Sequence, residues 1–216
     1  MLRIGLNIDL RQKNLRDLLL YKPGNLPTTE RPLADMQRGE LHFSSRDQGW
    51  EILIPSVACK NANSPFFGAK RIRLILLDLC HLYEMLGARI ERHGSRLIGA
   101  ATDPETLFVK TAKRASTNAA YCQNTVYEAW RAAIPRCGIY NRWTNRGAIK
   151  GLLPHAPQSV RDVLASHILK QTGTYEQASY TIQDTAEMVA QHYGRFLPQD
   201  KVAIAARILN PVWQAT

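Results

Sequence analysis

Apolar and polar residues alternate along a segment in the first third of the chain, and this spacing predicts β-strands. In GELHFSSRDQGWEILIPSVACKNANSPFF the alternation centres on Leu41 and Phe43 and then on Ile52 and Ile54. The runs SRDQG and CKNANSP are rich in turn-forming residues. Alternation with period two between such turns is typical of hairpins, so we expect three short antiparallel strands between about 36 and 68.

Elsewhere the apolar residues recur at helical spacing. The first such segment, with Leu10, Leu15, Leu18 and Leu19, is ended by the turn-forming run YKPGNLPTTERP. Further helices are expected over about 70–92, 117–134, 157–172, 174–182, 185–193 and 198–209. These elements predict a mainly α protein with a small antiparallel three-stranded sheet (α+β), in a single domain over 1–216.

The charge balance narrows the class of partner. The chain has 216 residues, of which 28 are Lys or Arg and 18 are Asp or Glu, so its formal net charge is +10. Such an excess of positive charge favours a polyanionic partner, with nucleic acid ahead of an anionic membrane. The longest apolar run, LILLDLC at 74–80, is expected to be a buried helix, because it is too short and too closely flanked by charge to span a bilayer.

The four cysteines, Cys59, Cys80, Cys122 and Cys137, form no C-x-x-C pair and have no histidine at zinc-finger spacing. Unpatterned cysteines without a signal peptide predict reduced thiols and a cytoplasmic protein. The sequence also lacks a Gly-rich phosphate loop, an H-E-x-x-H helix and a G-x-S-x-G turn. We therefore expect neither a metal nor an organic cofactor.

Two arginines stand in largely apolar surroundings. Arg11 lies in LRQKNLR within the first helical pattern, and Arg161 borders an apolar stripe in QSVRDVLASHIL. A buried charge is costly unless it is paired or functional, so each arginine either contributes to a site or forms a salt bridge, for example from Arg161 to Asp184. The apolar stripe comprises Val160, Val163, Leu164 and Ile168.

Four motifs occur in order along the chain: DLRQKN around Arg11, ACKNANSPFF around Lys60, VRDVLASHILKQTG around Arg161 and IQDTAEMVAQHYGRF around Tyr193. Together they resemble the catalytic domain of the tyrosine recombinases, the phage integrase family, over about residues 4 to 210. In that family an arginine lies in a G-L-R-x-x-E/N pattern and a lysine follows in a β-hairpin. A second arginine then opens a helix with an A-T-H-like segment and a glycine. The nucleophilic tyrosine comes about thirty residues later, and here Arg161 and Tyr193 are 32 residues apart.

This resemblance implies site-specific cleavage and rejoining of DNA strands through a covalent 3′-phosphotyrosine, as in DNA integration and recombination by mobile elements. Tyr193 would be the nucleophile, Arg11 and Arg161 would hold the phosphate oxygens, and Lys60 would protonate the leaving 5′-hydroxyl. The implied partners are double-stranded DNA and further copies of the chain, as a tetramer on the DNA. The core-binding domain that precedes the catalytic domain in this family is expected to be absent from this chain.

Two positions depart from the family pattern. The family usually has a histidine three residues before the second arginine, where this chain has Gln158. It also has a histidine or tryptophan nine residues before the tyrosine, where this chain has Asp184. Glutamine donates a hydrogen bond but cannot shuttle a proton near neutral pH, so His155 and His192 are the candidates for the missing histidine.

A long basic loop, PRCGIYNRWTNRGAIKGLLPHAP, precedes the second arginine motif. Within it, Arg142, Arg146 and Lys150 are expected to contact phosphates of the DNA backbone, unless they belong to a merely solvated loop. Two other functions stay open at this point. One is a catalytically impaired DNA-binding remnant of an integrase, and the other is an unrelated basic helical protein that binds RNA.

Overall fold

The computed structural model describes residues 2–21, 26–60, 71–111, 117–136, 143 and 158–194. These residues fall in two compact units, one within Met1–Val160 and the other within Arg161–Thr216. Each unit is described by itself, and a single domain over 1–216 stays a prediction. Across the described ranges, no helix combines the length and the apolar composition that a membrane crossing needs.

The first unit contains a four-stranded mixed sheet with strands in the order β1 (Leu19–Leu20), β2 (Glu40–Ser44), β3 (Gly49–Ile54) and β4 (Ile72–Ile75). The predicted hairpin of β2 and β3 is confirmed, with Leu41 opposite Ile52. The prediction of three antiparallel strands is wrong, because β1 adds a fourth strand that runs parallel to β2. A strand of two residues is too short to show any alternation in the sequence.

The strand β4 lies where the sequence predicts the start of a long helix. Its apolar residues run on into 76 and 77, and a short apolar run fits a strand and a buried helix equally well. Cys80 and His81 then take positive φ values of 54° and 62°, so the chain reverses before a helix begins at Leu82. The helix predicted over 70–92 is therefore wrong in its first half, including the buried helix at 74–80. It is confirmed in its second half, where the chain is helical from Leu82 to His93.

The helices of the first unit are shorter than the sequence predicts. The N-terminal segment forms two short helices instead of one, because the chain is non-helical between Asn7 and Gln12. The helix predicted from 117 begins at Gln123, since bridges at Asn118 and Ala120 hold the preceding residues extended. In the described ranges of this unit the α-helices are α1 (Leu2–Asn7), α2 (Gln12–Arg16), α3 (Glu30–Met36), α4 (Leu82–Ala88), α5 (Gly94–Ile98) and α6 (Gln123–Arg136).

One face of the sheet carries the core of the first unit. Leu41, Ile52 and Ile54 are fully buried there. Successive residues of a strand point to opposite faces, so Glu40 and Glu51 lie on the other face, where they are also buried. Each has hydrogen-bond donors that offset its burial: the Thr28 backbone N–H donates to Glu40 at 2.9 Å, and the Arg73 guanidinium donates to Glu51 at 2.5 and 2.9 Å.

The second unit is built from α7 (Gln158–Thr172), whose first residues belong to the other unit, with α8 (Tyr175–Ile182) and α9 (Ala186–Tyr193). All three helices were predicted and are confirmed. Each begins one residue after its predicted start at about 157, 174 or 185. Gly173 at φ 70° ends α7, and Gln183 at φ 54° ends α8. The Thr185 side chain caps α9 by accepting from the Met188 N–H. The helix predicted over 198–209 lies outside the described residues.

A small apolar cluster holds these three helices together. On α7 the buried residues include Ala165 and Leu169, whereas Val163 is 61% exposed, so the predicted apolar stripe is wrong at that position. The aromatic ring of Tyr193 at the end of α9 belongs to the same cluster. Its buried members are Ala165, Leu169, Ala178, Ile182, Val189 and Tyr193.

Candidate functional site

Arg11 stands at the N-cap of α2 and not within an apolar helix as the sequence predicts. Its φ of −57° and ψ of 146° are extended, because α1 has ended and the chain turns before α2 begins. The side chain is half-buried, and Asn14, three residues later in the same motif, is buried. Arg11 is thus held at a junction between two helices.

Lys60 lies exposed in a turn after β3, on the connection that leads to the antiparallel strand β4. The residue before it, Cys59, is half-buried. Burial raises the pKa of the Cys59 thiol, and the positive charge of Arg11 partly opposes this by lowering the pKa. Arg11 therefore acts electrostatically on the residue that precedes Lys60. Both of these predicted phosphate ligands belong to the first unit, and their meeting on one phosphate stays a prediction.

Arg161 is only 3% exposed and lies in the first turn of α7. Its Nη2 donates to the Asp184 carboxylate at 3.1 Å and to the backbone oxygen of Ile182. The left-handed conformation of Gln183 turns the chain so that Asp184 follows directly after α8. The salt bridge between Arg161 and Asp184, one of the two sequence-based alternatives, is therefore present.

Tyr193 is 9% exposed, with its ring in the core of the second unit and its hydroxyl directed to a polar group. The hydroxyl donates to Oδ1 of Asp162 at 3.0 Å, and Asp162 itself is exposed. The phenol oxygen thus lies where the apolar cluster meets the surface. The exposed His192 ring stands edge-on beside the Tyr193 ring, with the centroids 6.4 Å apart.

Asp162 is a site residue that the sequence analysis missed. It follows Arg161 directly, and neighbouring residues of a helix point about 100° apart, so the two side chains reach different elements. Arg161 bonds the end of α8 and the turn after it, whereas Asp162 bonds the end of α9. The only hint in the sequence was an acid beside the motif arginine, since a hydrogen bond across 31 residues leaves no periodic pattern.

Other predicted residues are less informative. Gln158, at the position where the family has a histidine, is exposed at the first residue of α7. Trp143, in the basic loop, is 82% exposed. In the part of the chain that the structure describes, no group of three or more His, Cys, Asp or Glu side chains is placed to hold a metal ion. Outside the described residues lie His155, Arg142, Arg146 and Lys150.

The predicted catalytic residues divide evenly between the two units. Arg11 and Lys60 lie in the first, and Arg161 and Tyr193 lie in the second, together with Asp162. The second group combines a phenol, a carboxylate that accepts a hydrogen bond from it and a permanently charged guanidinium. Convergence of all four predicted residues on one phosphate stays a prediction.

Comparison with known proteins found no match for the chain among family models, curated proteins or solved structures. What supports a function is therefore the order of the motifs and the contacts of the residues within each unit.

Proposed function

We propose that the protein cleaves and rejoins DNA strands, with Tyr193 as the nucleophile. The observation that carries the proposal is the contact between the Tyr193 hydroxyl and Asp162, the residue next to Arg161. It fixes a phenol oxygen at the edge of a small rigid core, beside the first turn of α7. A nucleophile in phosphoryl transfer needs such a fixed position near a cationic clamp.

The reaction requires no metal in this proposal. The Tyr193 oxygen attacks the phosphorus and forms a phosphotyrosine bond, while the bond from phosphorus to the 5′-oxygen breaks. Lys60 supplies the proton that the leaving 5′-oxygen takes up. Arg11 and Arg161 hold the non-bridging oxygens, and one preorganised donor of this kind is typically worth about 3 kcal/mol at the transition state. The reverse reaction with a new 5′-hydroxyl rejoins the strand.

The charge of the chain supports DNA as the substrate. A net charge of +10 attracts a polyanion, and the contacts to phosphate dominate the affinity of most DNA-binding proteins. The exposed Lys60 at a turn of the first unit is suited to such a contact. The predicted basic loop with Arg142, Arg146 and Lys150 would extend this surface along the duplex.

One observation favours a second candidate, a DNA-binding remnant that no longer cuts. Arg161 is buried and already bonded to Asp184, so a phosphate would have to share or replace that carboxylate. Gln158 adds to this, because it cannot supply the proton transfer of the usual histidine. Both candidates predict DNA binding, and they differ in whether a covalent intermediate forms.

A suicide substrate separates the two candidates. Nicked duplexes of randomised sequence, whose short leaving strand diffuses away after cleavage, are incubated at low salt with the wild type, Tyr193→Phe and Tyr180→Phe. Tyr180 is the matched control, because it is an exposed tyrosine in the same unit. We expect a denaturant-resistant DNA adduct with the wild type and Tyr180→Phe and none with Tyr193→Phe.

Each other outcome has a definite meaning. DNA binding by all three proteins without any adduct would establish the remnant. An adduct that persists in Tyr193→Phe would place the nucleophile elsewhere and refute the assignment of Tyr193. Absence of DNA binding by the wild type would contradict both candidates.

A further inference from the structure

We propose that Asp162 is a catalytic residue of the same site: it holds the Tyr193 hydroxyl in place and accepts its proton as the phenol oxygen attacks. This inference rests on the proposed function of Tyr193. It adds a residue to which neither the motifs nor the family resemblance gave a role.

The contact has the geometry of a proton transfer. The Tyr193 hydroxyl is the donor and Asp162 Oδ1 the acceptor, at a separation of 3.0 Å. A general base must lie within about 2.6–3.2 Å of the atom whose proton it takes, and this pair satisfies that condition without DNA. The Asp162 side chain is exposed, so a proton that it accepts can pass on to water.

The surrounding structure holds both Tyr193 and Asp162 in position. The Tyr193 ring is packed in the apolar cluster with Val189 and Ile182, which limits the directions open to its hydroxyl. Asp162 directly follows Arg161 on α7, and the bonds of Arg161 to Ile182 and Asp184 anchor this part of the helix. The backbone of Asp162 and the ring of Tyr193 are therefore held so that the hydroxyl and the carboxylate face each other.

The chemistry of phenol makes a base useful. A tyrosine has a pKa near 10 in model peptides, so only about 0.1% of an unperturbed phenol is ionised at pH 7. When Tyr193 attacks, its O–H bond breaks and the proton moves to Asp162, while the oxygen forms a bond to phosphorus. The bond from phosphorus to the 5′-oxygen breaks with its electron pair, and that oxygen takes a proton from Lys60. In rejoining, the phenol oxygen leaves and regains its proton from Asp162.

The titratable groups around this pair come from all three helices and the connection between α8 and α9. Any measured pH dependence must be divided among them. They are Arg161 and Asp162 on α7, Tyr175 on α8, Asp184 in the connection, and His192 and Tyr193 on α9.

The first experiment needs no DNA. The phenol carbon resonances of ¹³C-labelled tyrosine are titrated in the wild type, Asp162→Asn and Glu187→Gln, with Tyr193→Phe used to assign the Tyr193 signal. A carboxylate that accepts from a phenol favours its neutral form, so Asp162→Asn should lower the pKa of Tyr193. Glu187→Gln removes the same charge from an exposed position on α9 and should change the titration much less. Equal shifts in both variants would show that no specific bond exists and would overturn the proposal.

The second experiment measures the rate of adduct formation against pH on the suicide substrate. General-base catalysis is typically worth about 100-fold or more, so Asp162→Asn should slow the adduct by about 100-fold at pH 7. The loss should shrink as pH rises, because hydroxide then ionises the phenol. Asp162→Glu keeps an acceptor and should recover part of the rate, and DNA affinity should be unchanged in both variants.

The two experiments distinguish the two proposals. If the wild type forms no adduct, the proposed function fails, and with it the catalytic role of Asp162, whatever the titration shows about the bond. If the wild type reacts and Asp162→Asn has the same rate and pH profile, Tyr193 remains the nucleophile and the role of Asp162 is refuted. Thermal unfolding of Asp162→Asn close to that of the wild type excludes misfolding as the cause of a slow rate.

Discussion

The two units hold their candidate phosphate ligands in opposite ways. In the first unit Lys60 is exposed on a turn and Arg11 is half-buried at a helix junction. In the second unit Arg161 is buried and bonded to Asp184, and Tyr193 is packed in the core. Replacing Arg11 or Lys60 should therefore harm the fold less than replacing Arg161 or Tyr193. In the second unit, the same side chains serve the fold and the proposed chemistry, so stability and activity must be measured together.

The largest effect is expected from Arg161→Ala. Removing one partner of a buried ion pair leaves Asp184 and the Ile182 carbonyl without this donor. Such losses cost about 3 to 5 kcal/mol, and the partial exposure of Asp184 places this one near the lower end. Urea denaturation should show the free energy of unfolding of the second unit reduced by about 3 kcal/mol.

The matched control for Arg161→Ala lies in the first unit. Arg71 is bonded to Glu30 at 2.6 Å, but their side chains are 53% and 40% exposed. A surface pair of this kind contributes less than about 1 kcal/mol, so Arg71→Ala should change stability little. Similar losses for both variants would mean that burial does not distinguish the two units.

Replacing Gly39 or Gly173 by alanine should lower the stability of the protein, for a different reason at each position. At Gly39, before β2, an added Cβ would lie 2.6 Å from Ile54 Cγ1, and overpacking of this kind costs about 1 to 3 kcal/mol. At Gly173, after α7, nothing lies within 4 Å, but φ is 70°. Only the backbone penalty applies there, about 1 to 2 kcal/mol.

Gly87→Ala is the control for this pair, because it lies within α4 with nothing within 4 Å of an added Cβ. It should leave stability unchanged or raise it by up to about 1 kcal/mol. The three variants are compared by thermal unfolding. A neutral Gly39→Ala would contradict the close packing of Gly39 against Ile54.

Tyr193→Phe should cost less than these core changes. The ring stays in the cluster and only the hydrogen bond to Asp162 is lost, which is worth about 1 kcal/mol. Tyr127→Phe, at an exposed position on α6, should have almost no effect on urea denaturation. A loss above about 3 kcal/mol for Tyr193→Phe would show that its hydroxyl is part of a larger buried network.

The smallest effect is expected at the thiol of Cys59, whose pKa responds to the charge of Arg11. Arg11 lowers the pKa of Cys59, so Arg11→Gln should raise it further, reduce the thiolate fraction and slow alkylation by iodoacetamide at pH 8. Cys122 is the internal reference, because its hydrogen bond with Thr125 lowers the pKa of that exposed thiol. Mass spectrometry should show Cys122 reacting faster than Cys59 and unaffected by Arg11→Gln.

This measurement reports on the first unit alone. All four cysteines precede Arg161, so the second unit contains none. An unchanged rate for Cys59 in Arg11→Gln would contradict an electrostatic effect of Arg11 on the Cys59 thiol.

Local chemistry explains why some elements could be predicted from the sequence. The three helices of the second unit begin within about one residue of their predicted limits, because helix ends follow from local residue types, such as Gly173 after α7 and the capping Thr185 before α9. The strand β4 could not be predicted, since its apolar run fits either period. The strand β1 depends on pairing with β2, a contact that its two residues do not encode.

In the candidate site, too, some contacts could be predicted from the sequence and others could not. The pairing of Arg161 with Asp184 could be anticipated, because a buried arginine needs an acid and the motif offered one. The role of Asp162 could not, because it depends on how α7 and α9 pack and not on any spacing along the chain.

The bond between Arg161 and Asp184 has a consequence for the ionic-strength dependence of DNA binding. Each cation that neutralises a DNA phosphate releases condensed counterions and adds about 0.9 to the slope of log affinity against log salt. The charge of Arg161 is already neutralised by the Asp184 carboxylate. While Asp184 stays in place, Arg161 can therefore neutralise little of the charge of a DNA phosphate. On the proposed function, Arg11 and Lys60 neutralise this one phosphate and together add about 0.9 to the salt slope, and Arg161 adds hardly anything further.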